Sequence, residues 1–339
     1  MTPRMPGSAL RRSVRWAAIV SLFVIVALAA IMVALCSGSI AVEPRQVIAA
    51  LLHGGGDIMA RIVLDLRLPR VLAGFTVGGL LALSGALMQV LLRNPLAEPY
   101  VLGISGGASA FALTAIALGL GSVWIHAGAL AGALFSMFLV FALPRGDGAW
   151  DPMRVLLTGV VIAAGWGAII TFLLAVTPSA QVHTMLYWLM GDLGQARFAP
   201  WSLWLLAGGL LLSLAMGRGL NLLARGELQA AALGVAVAPL HGVVYFLASV
   251  AAAAAVTEAG SIGFVGLIIP HAVRLLVGSD HRIVLPLCVL SGGTLLVIAD
   301  ALARTIIAPQ QLPVGVLTAM LGVPAFLLLL RTMARAQRT

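Results

Sequence analysis

Charged residues are scarce in this chain: Asp, Glu, Lys and Arg make up only 9% of its 339 residues, whereas 61% are hydrophobic. The mean hydropathy is +1.10, and a soluble domain has too few interior positions to bury so much apolar sequence. In lipid, backbone polar groups must be satisfied within the segment, so apolar runs of about 20 residues indicate spanning helices. The composition therefore excludes a soluble protein and predicts an all-α, polytopic membrane protein with one domain over residues 1–339.

The sequence also lacks the motifs of nucleotide and metal chemistry: it contains no GxxxxGK[ST] loop, no HExxH and no dinucleotide fingerprint after a strand. Its six histidines are scattered singly. Cys36 and Cys288 lie far apart without metal-like or CxxC spacing, which is typical of buried packing thiols. We therefore expect a protein that is not an enzyme and holds no metal or cofactor. If it moves a solute uphill, another chain must supply the energy.

Apolar runs of spanning length recur along the whole chain, and we predict about ten of them. The first follows several arginines, but it is too long for a signal peptide and lacks a cleavage site, so we expect a retained helix. An even number of spans returns the C-terminus to the side of the N-terminus. The predicted spans are 16–36, 67–92, 100–118, 122–143, 154–176, 201–216, 241–257, 264–277, 283–303 and 314–330.

Lysine is absent, so the twenty basic residues are all arginine, and their distribution predicts the orientation. Cytoplasmic termini place fourteen of them inside: Arg4, Arg11, Arg12, Arg15, Arg93, Arg145, Arg154, Arg218, Arg225, Arg274, Arg282, Arg331, Arg335 and Arg338. The other six, Arg45, Arg61, Arg67, Arg70, Arg197 and Arg304, then lie outside. This bias follows the positive-inside rule and accounts for the net charge of +9 without a nucleic-acid partner.

Two kinds of residue interrupt or shape the spans. Glycines four residues apart, such as Gly74 and Gly78, allow helices to approach closely in lipid. Pro270 lies inside a span, and Pro313 precedes the start of the last one, so we expect both spans to be discontinuous. Broken helices can line a path, although a kink that only packs is equally compatible with the pattern.

The connection 218–240 is too polar at its centre to span the membrane and predicts a short pair of cytoplasmic helices. Arg225 and Gly226 mark a break between the two. Glu227 opens the second helix, where an acid suits the helix dipole, and Gly234 ends it. Such a pair could lie on the membrane surface or dock a soluble partner, and the pattern alone supports both interpretations equally.

Long segments of the chain resemble the permease subunits of ABC importers for cobalamin, haem and ferric siderophores, the FecCD type. The matching segments are RLPRVLAGFTVGGLLALSGALMQVLLRNPLAEPYVLGISGGA at 67–108, YWLMGDLG at 187–194, LNLLARGELQAAALGV at 220–235, GSIGFVGLIIPHAVRLLVGSDHRIVLP at 260–286 and ADALARTIIAPQQLPVGVLTAMLGVPAFLLLL at 299–330. They cover nearly the whole chain in the family's order, and by eye the cobalamin permease is most similar.

The resemblance implies a ten-helix subunit of the bacterial inner membrane that pairs with a second permease copy around a translocation path. Two cytoplasmic ABC ATPase subunits and a periplasmic substrate-binding protein are the implied partners. The resemblance also turns the connection 218–240 into an ATPase-docking segment. Its docking residues would be Arg225, Gly226, Glu227, Leu228, Gln229, Ala230 and Gly234.

In the same family, arginines at the outer ends of the second and ninth spans receive acidic residues of the binding protein. Here they correspond to Arg67, Arg70 and Arg304. A guanidinium fork fits a carboxylate well. Two alternatives remain open: Asp300 lies four residues before Arg304 and could pair with it, and Arg67 and Arg70 could anchor the helix at the interface.

The family's cytoplasmic gate corresponds to the connections 94–99 and 151–153. Asn94, Pro95 and Leu96 match the family pattern, whereas Asp151, Pro152 and Met153 replace the expected small hydroxyl residues. Glu258 is a second departure, because relatives carry apolar residues there. An acid beside a spanning segment is a candidate for the pathway, although it could also simply be solvated at the helix end.

We therefore expect the permease of an ATP-driven importer, with an iron chelate favoured over cobalamin because such members are commoner. A proton-coupled secondary transporter is the alternative, and it would need carboxylates inside the spans. Asp300 and Glu258 lie only near span ends. A membrane enzyme or a structural membrane protein is a third class, which the absence of a catalytic constellation disfavours.

Overall fold

The computed structural model describes residues 7–38, 40–143, 152–194, 196 and 198–336. Within these ranges the chain is helical and contains no strand, which confirms the predicted all-α class. Such a fold follows from the composition, because a helix satisfies its own backbone hydrogen bonds while presenting apolar side chains to lipid.

Fifteen α-helices follow one another along the described ranges, joined by one π-helical and one 3-10 segment. They are α1 Gly7–Cys36, α2 Pro44–His53, α3 Ile58–Arg61, the π-helix Ile62–Arg67, α4 Leu68–Leu91, the 3-10 turn Pro99–Leu102, α5 Ile104–Ala117, α6 Ser122–Ala142, α7 Pro152–Val176, α8 Ser179–Met190, α9 Pro200–Ala215, α10 Gly217–Leu223, α11 Glu227–Ala232, α12 Val237–Ala259, α13 Val265–Val277, α14 His281–Ala303 and α15 Val314–Ala336.

Six helical segments of the described chain are long and apolar enough to cross a membrane: Trp16–Cys36, Ile58–Leu91, Ser122–Ala142, Met153–Val176, Val237–Ala259 and His281–Ala303. A seventh is the pair α9 and α10, bent by 65° at its break. Three shorter apolar helices are Ile104–Ala117, Val265–Val277 and Val314–Leu328. Every predicted span thus coincides with an apolar helix. The sequence pattern missed α2, α3 and α8, which are too short to stand out by hydropathy.

Helix α4 forms the centre of the bundle. Of its apolar window, 89% is buried within the chain, compared with 22% for α1 and 11% for α7. It packs against α14, α12 and α13, while α5, α6 and α7 form a second group beside it. Because lipid is as apolar as leucine, the exposed leucines and valines of α1 and α7 suit a surface that faces lipid or another subunit.

Glycines permit the closest helix contacts. A methyl group on Gly78 of α4 would lie 2.2 Å from the carbonyl oxygen of Gly292 in α14, so no larger residue fits there. Gly107 of α5 meets Gly132 of α6 in the same way, at 2.4 Å. These contacts confirm that the small-residue spacing serves helix packing.

The break near the eighth span lies before the helix and not at its proline. Helix α13 continues through Pro270, so the predicted discontinuity at that residue is wrong. The missing proline N–H costs one hydrogen bond, and the helix tolerates that cost. The non-helical segment instead covers residues 260–264, between α12 and α13. At the other predicted site, α15 begins directly after Pro313.

The orientation can be tested with single thiols, because Arg61 and Arg225 are both exposed. In a background where Cys36 and Cys288 are replaced by alanine, Arg225→Cys should react with an impermeant maleimide only from the cytoplasmic side. Arg61→Cys should react only from the outside, since the arginine bias places it there. Labelling in right-side-out and inverted vesicles measures this, and reaction of both thiols from one side would contradict the orientation.

Candidate functional site: coupling helices, gate loop and arginine cluster

The predicted docking segment is formed by two short helices with a sharp turn between them. Helix α10 ends at Leu223, and Gly226 has φ of +130°, a conformation that favours glycine. Helix α11 follows and ends before Gly234, which has φ of +81°. This confirms the predicted helix pair, the break at Gly226 between the two helices, and the end of the second helix before Gly234.

One face of α11 is exposed and apolar. Leu228 is 88% exposed and Leu233 is 67% exposed, and Arg225 and Gln229 are exposed beside them. Ala230 is fully buried and therefore supports the helix from beneath, so it cannot contact a partner directly in this conformation. Leucines that are this exposed at a polar end of the bundle are unusual, and they indicate a surface that binds another protein.

Glu227 holds α11 to the rest of the chain. Its Oε1 lies 3.1 Å from an arginine nitrogen of Arg93, which follows α4, and 3.9 Å from Nε2 of His241 in α12. The ion pair with Arg93 is partly exposed, so it contributes about 1 kcal/mol or less to stability. Its geometric effect matters more, because it links the docking helix to the loop that contains the predicted gate.

The predicted gate loop, residues 94–99, is tightly turned. The side-chain Oδ1 of Asn94 accepts a hydrogen bond from the N–H of Leu96 at 2.9 Å, which forms an Asx turn around Pro95. Pro95 and Leu96 are exposed. In the second predicted gate loop, Met153 is 61% exposed and follows Pro152 at the start of α7, whereas Asp151 lies outside the described residues.

The gate loop is attached to the non-helical segment before α13 through Glu98. Its Oε1 accepts a hydrogen bond from the N–H of Phe264 at 2.8 Å. Burial raises the pKa of Glu98, and the hydrogen bond from Phe264 opposes that rise. Phe264 has φ of +70°, rare for a bulky residue, and its ring packs where a methyl group on Gly322 of α15 would otherwise lie. Glu98 thus connects the gate loop to α13 and α15.

The predicted docking arginines lie together at one end of the bundle, where α1 and α14 end and α4 begins. Arg67 is only 6% exposed, and its guanidinium donates to the carbonyls of Leu35, at 2.7 Å, Cys36, at 3.0 Å, and Ile40. Gly38 passes so close that a side chain there would collide with Arg67. Arg67 therefore caps the C-terminus of α1.

Arg304 caps the same helix end from the other side. It is 7% exposed and donates to the carbonyls of Ala34, at 3.3 Å, and Ser37, at 3.4 Å. Its Nε also lies 3.0 Å from Oδ2 of Asp300, so the alternative in which Arg304 pairs with Asp300 is confirmed. With Arg67, it gives hydrogen-bond partners to carbonyls that α1 cannot satisfy internally.

Arg70 faces Asp300 from α4. Its Nη2 and Nε both donate to Oδ1 of Asp300, at 2.8 and 3.0 Å, and Nη1 donates to Oε1 of Gln311 at 2.8 Å. Asp300 is thus held between two guanidinium groups and is only 2% exposed. Of the three arginines, Arg70 is the one with a partner at the exposed rim. The role of all three in receiving a binding protein stays a prediction.

Glu258 is 7% exposed near the end of α12 and does not point into solvent. It faces Ser202 and Ala199 at the beginning of α9. An acid at the N-terminus of a helix is stabilised by the unpaired N–H groups and the dipole there, so this position fits a link between helices. Its place in a pathway is not tested.

Comparison with known proteins gives consistent matches over most of the chain. A sequence model of the FecCD transport family matches residues 24–332. The cobalamin import system permease protein of Halobacterium salinarum is 43% identical over 273 residues, covering 80% of this chain and 73% of the relative. The hemin transport system permease protein of Yersinia pestis is 41% identical over 285 residues, with 81% and 84% covered.

A solved structure of a metal-chelate type ABC transporter in an inward-facing conformation matches this fold with a TM-score of 0.82. It is 28% identical, and the match covers 93% of this chain and 99% of that one. The overall arrangement of this chain therefore resembles that of an experimentally determined transporter over most of its length.

The contact between Glu98 and Phe264 gives a direct stability prediction. Glu98→Ala leaves a partly buried N–H without an acceptor and should lower the free energy of unfolding by about 1 to 3 kcal/mol. Glu98→Gln keeps an acceptor oxygen and should recover most of that loss. Thermal unfolding of the two variants in detergent measures the difference. Equal unfolding temperatures for both variants would show that this hydrogen bond does not hold the loop.

Proposed function

This chain belongs to the FecCD transport family, and from that premise we propose that it is the permease subunit of an ATP-driven, binding-protein-dependent importer of the bacterial inner membrane. The observation that carries the proposal is the exposed apolar face of α11, which the fold presents beside the gate loop. A permease without a nucleotide site needs a partner that hydrolyses ATP. A rigidly anchored docking helix is the expected point of contact.

The proposed docking surface consists of exposed side chains held by buried ones. Leu228, Leu233 and Gln229 would contact the ATPase subunit, while Ala230 and Glu227 fix the helix that carries them. Movement of α11 would reach the gate loop through the pair formed by Glu227 and Arg93. That movement would open the gate on the cytoplasmic side. The gate would consist of Asn94, Pro95, Leu96, Pro152 and Met153.

A second permease copy would complete the translocation path. Only 11% of the apolar window of α7 is buried within one chain, so much of this helix is available to another subunit. Two ATPase subunits and a substrate-binding protein would complete the importer. Relatives are named for cobalamin and hemin. We propose that the substrate is an iron chelate (a ferric siderophore or haem) or cobalamin.

A proton-coupled secondary transporter is less well supported. Asp300 is neutralised between Arg70 and Arg304, and Glu258 faces the beginning of another helix. Asp300 is thus engaged by two guanidinium groups, and Glu258 is a single acid near the end of a span, so the two do not form a relay of carboxylates across the membrane. Dependence of transport on a stoichiometric ATPase separates the two functions.

The docking of the ATPase can be tested at Leu228. Leu228→Asp should reduce the amount of ATPase that co-purifies with the permease by at least about tenfold, because burying a leucine stabilises a contact by about 1.5 to 3 kcal/mol. Leu118→Asp is the matched control, since Leu118 is 69% exposed at the opposite end of the bundle. Co-expression with the partner ATPase and quantification of the complex provide the measurement. Unchanged recovery in Leu228→Asp would refute the docking assignment.

Capture of the binding protein can be tested at Arg70, the residue of the cluster nearest the rim. An acidic group of the binding protein would compete with Asp300 for this guanidinium. Arg70→Gln should therefore weaken capture by about 1 to 3 kcal/mol and reduce its salt sensitivity. Arg61→Gln, an exposed arginine predicted on the same side, should change capture little. Equal affinity of Arg70→Gln and the wild type across salt concentrations would mean that the cluster serves the fold alone.

A further inference from the structure

A cavity of about 580 Å³ lies where the gate loop, α10 and the loop before α14 meet. This volume is within the range of small-molecule sites, which is roughly 300 to 1,000 Å³. Its lining is rich in basic and amide groups. The basic and amide residues of the lining are Arg93, Arg225, Arg274, His281, Gln89 and Asn221.

The charge of the lining is positive. Arg93, Arg225 and Arg274 face a single acid, Asp280. Arg274 is the deepest of the three and donates to Oε1 of Gln89, a neutral partner that leaves its charge uncompensated. Glu227 partly balances Arg93 from outside the lining. Three guanidinium groups in one cavity attract an anion and can form several charge-assisted hydrogen bonds with it.

The acid in the lining is already engaged. The side-chain amide of Asn221 donates to Oδ1 of Asp280 at 2.9 Å, and the N–H of Arg282 donates to the same oxygen at 3.1 Å. Burial acts against ionisation of Asp280, but these donors and the nearby Arg282 outweigh it and lower the pKa of the carboxyl. Asp280 therefore serves as the N-cap of α14, and its single negative charge leaves the three arginines of the lining in excess.

His281 gives a second, independent indication of a ligand. It is 2% exposed, and its Nδ1 lies 2.7 Å from Oδ1 of Asn221. An amide oxygen only accepts, so Nδ1 donates there. The other ring nitrogen, Nε2, has no hydrogen-bond partner among the described residues. A polar atom buried without a partner is costly, and a ligand in the cavity would supply one.

We propose that this cavity binds a phosphate group, either that of an anionic lipid headgroup or that of a soluble phosphate compound. Arg225 and Arg274 would hold the phosphate oxygens, and the neutral ring of His281 would accept a hydrogen bond at Nε2 from a hydroxyl group of the ligand. Basic pockets between helix ends at the cytoplasmic side of a membrane suit this ligand class. The proposal does not depend on the importer function, since it rests on the lining alone.

The test measures binding to the full-length permease in detergent. Short-chain phosphatidylglycerol should raise the unfolding temperature in a saturable way, more than phosphatidylcholine does, because only the former carries a net negative charge. Inorganic phosphate at matched ionic strength forms the second arm. Stabilisation by the lipid alone identifies a headgroup site, and equal saturable stabilisation by phosphate identifies a site for soluble phosphates.

Variants separate this cavity from general surface charge. Arg225→Gln should weaken the apparent affinity by at least about fivefold, in keeping with about 1 kcal/mol per arginine near an anionic headgroup. Arg218→Gln, an exposed arginine of α10 outside the lining, should bind as the wild type does. Arg274→Gln should show the larger loss, and Arg225→Gln keeps the test valid if that buried variant fails to fold. The proposal is overturned if neither ligand stabilises the protein, or if Arg218→Gln loses binding equally.

Discussion

Backbone N–H and C=O groups have no water to bind in the hydrocarbon core, and this constraint determines where polar side chains lie in this protein. Intact helices satisfy it unaided, but helix ends and interruptions do not. Arg67 and Arg304 supply donors to the end of α1. At the interruption before α13, Glu98 accepts from Phe264. Within α13, Gln89 of α4 donates to the carbonyl of Gly266, which has no helical donor because Pro270 lacks an N–H. Each of these side chains comes from a part of the chain other than the segment whose backbone it completes, so capping and tertiary packing are the same interaction.

This arrangement also explains how one chain can join a rigid core to movable ends. Helix α4 is buried along its length and carries a structural polar group at each end, Arg70 on one side and Gln89 on the other. The docking helix and the gate loop attach to its inner end through Arg93 and Glu227. A force applied to α11 would thus reach the gate loop before it disturbs the core, which suits the permease of the FecCD family.

The architecture could be predicted because hydropathy and length are properties of single segments. The ten apolar segments, the short helix pair within 218–240 and the close packing at glycines followed from the sequence pattern. The role of the arginines did not follow, because sequence position gives the side of the membrane but not the direction of a side chain. The side chains of Arg67 and Arg304 point towards the end of α1, and Ala34, which Arg304 contacts there, is more than 260 positions away in the chain. Glu98 was missed for the same reason, since its partner Phe264 is distant in sequence. The discontinuity predicted at Pro270 was wrong because a helix packed within the bundle can tolerate the loss of one backbone N–H donor.

Hydrogen exchange at residues 260–264 tests most directly whether side chains satisfy the backbone at an interruption of the bundle. Phe264 donates to Glu98, and the N–H of Ile262 lies 3.4 Å from the hydroxyl of Tyr100, although neither residue has a helical partner. Exchange measured by mass spectrometry on the permease in lipid nanodiscs should be slow at these two amides, comparable with that in α12. Exchange as fast as in the exposed segment 54–57 would contradict the account, because it would show that the interruption is open to water.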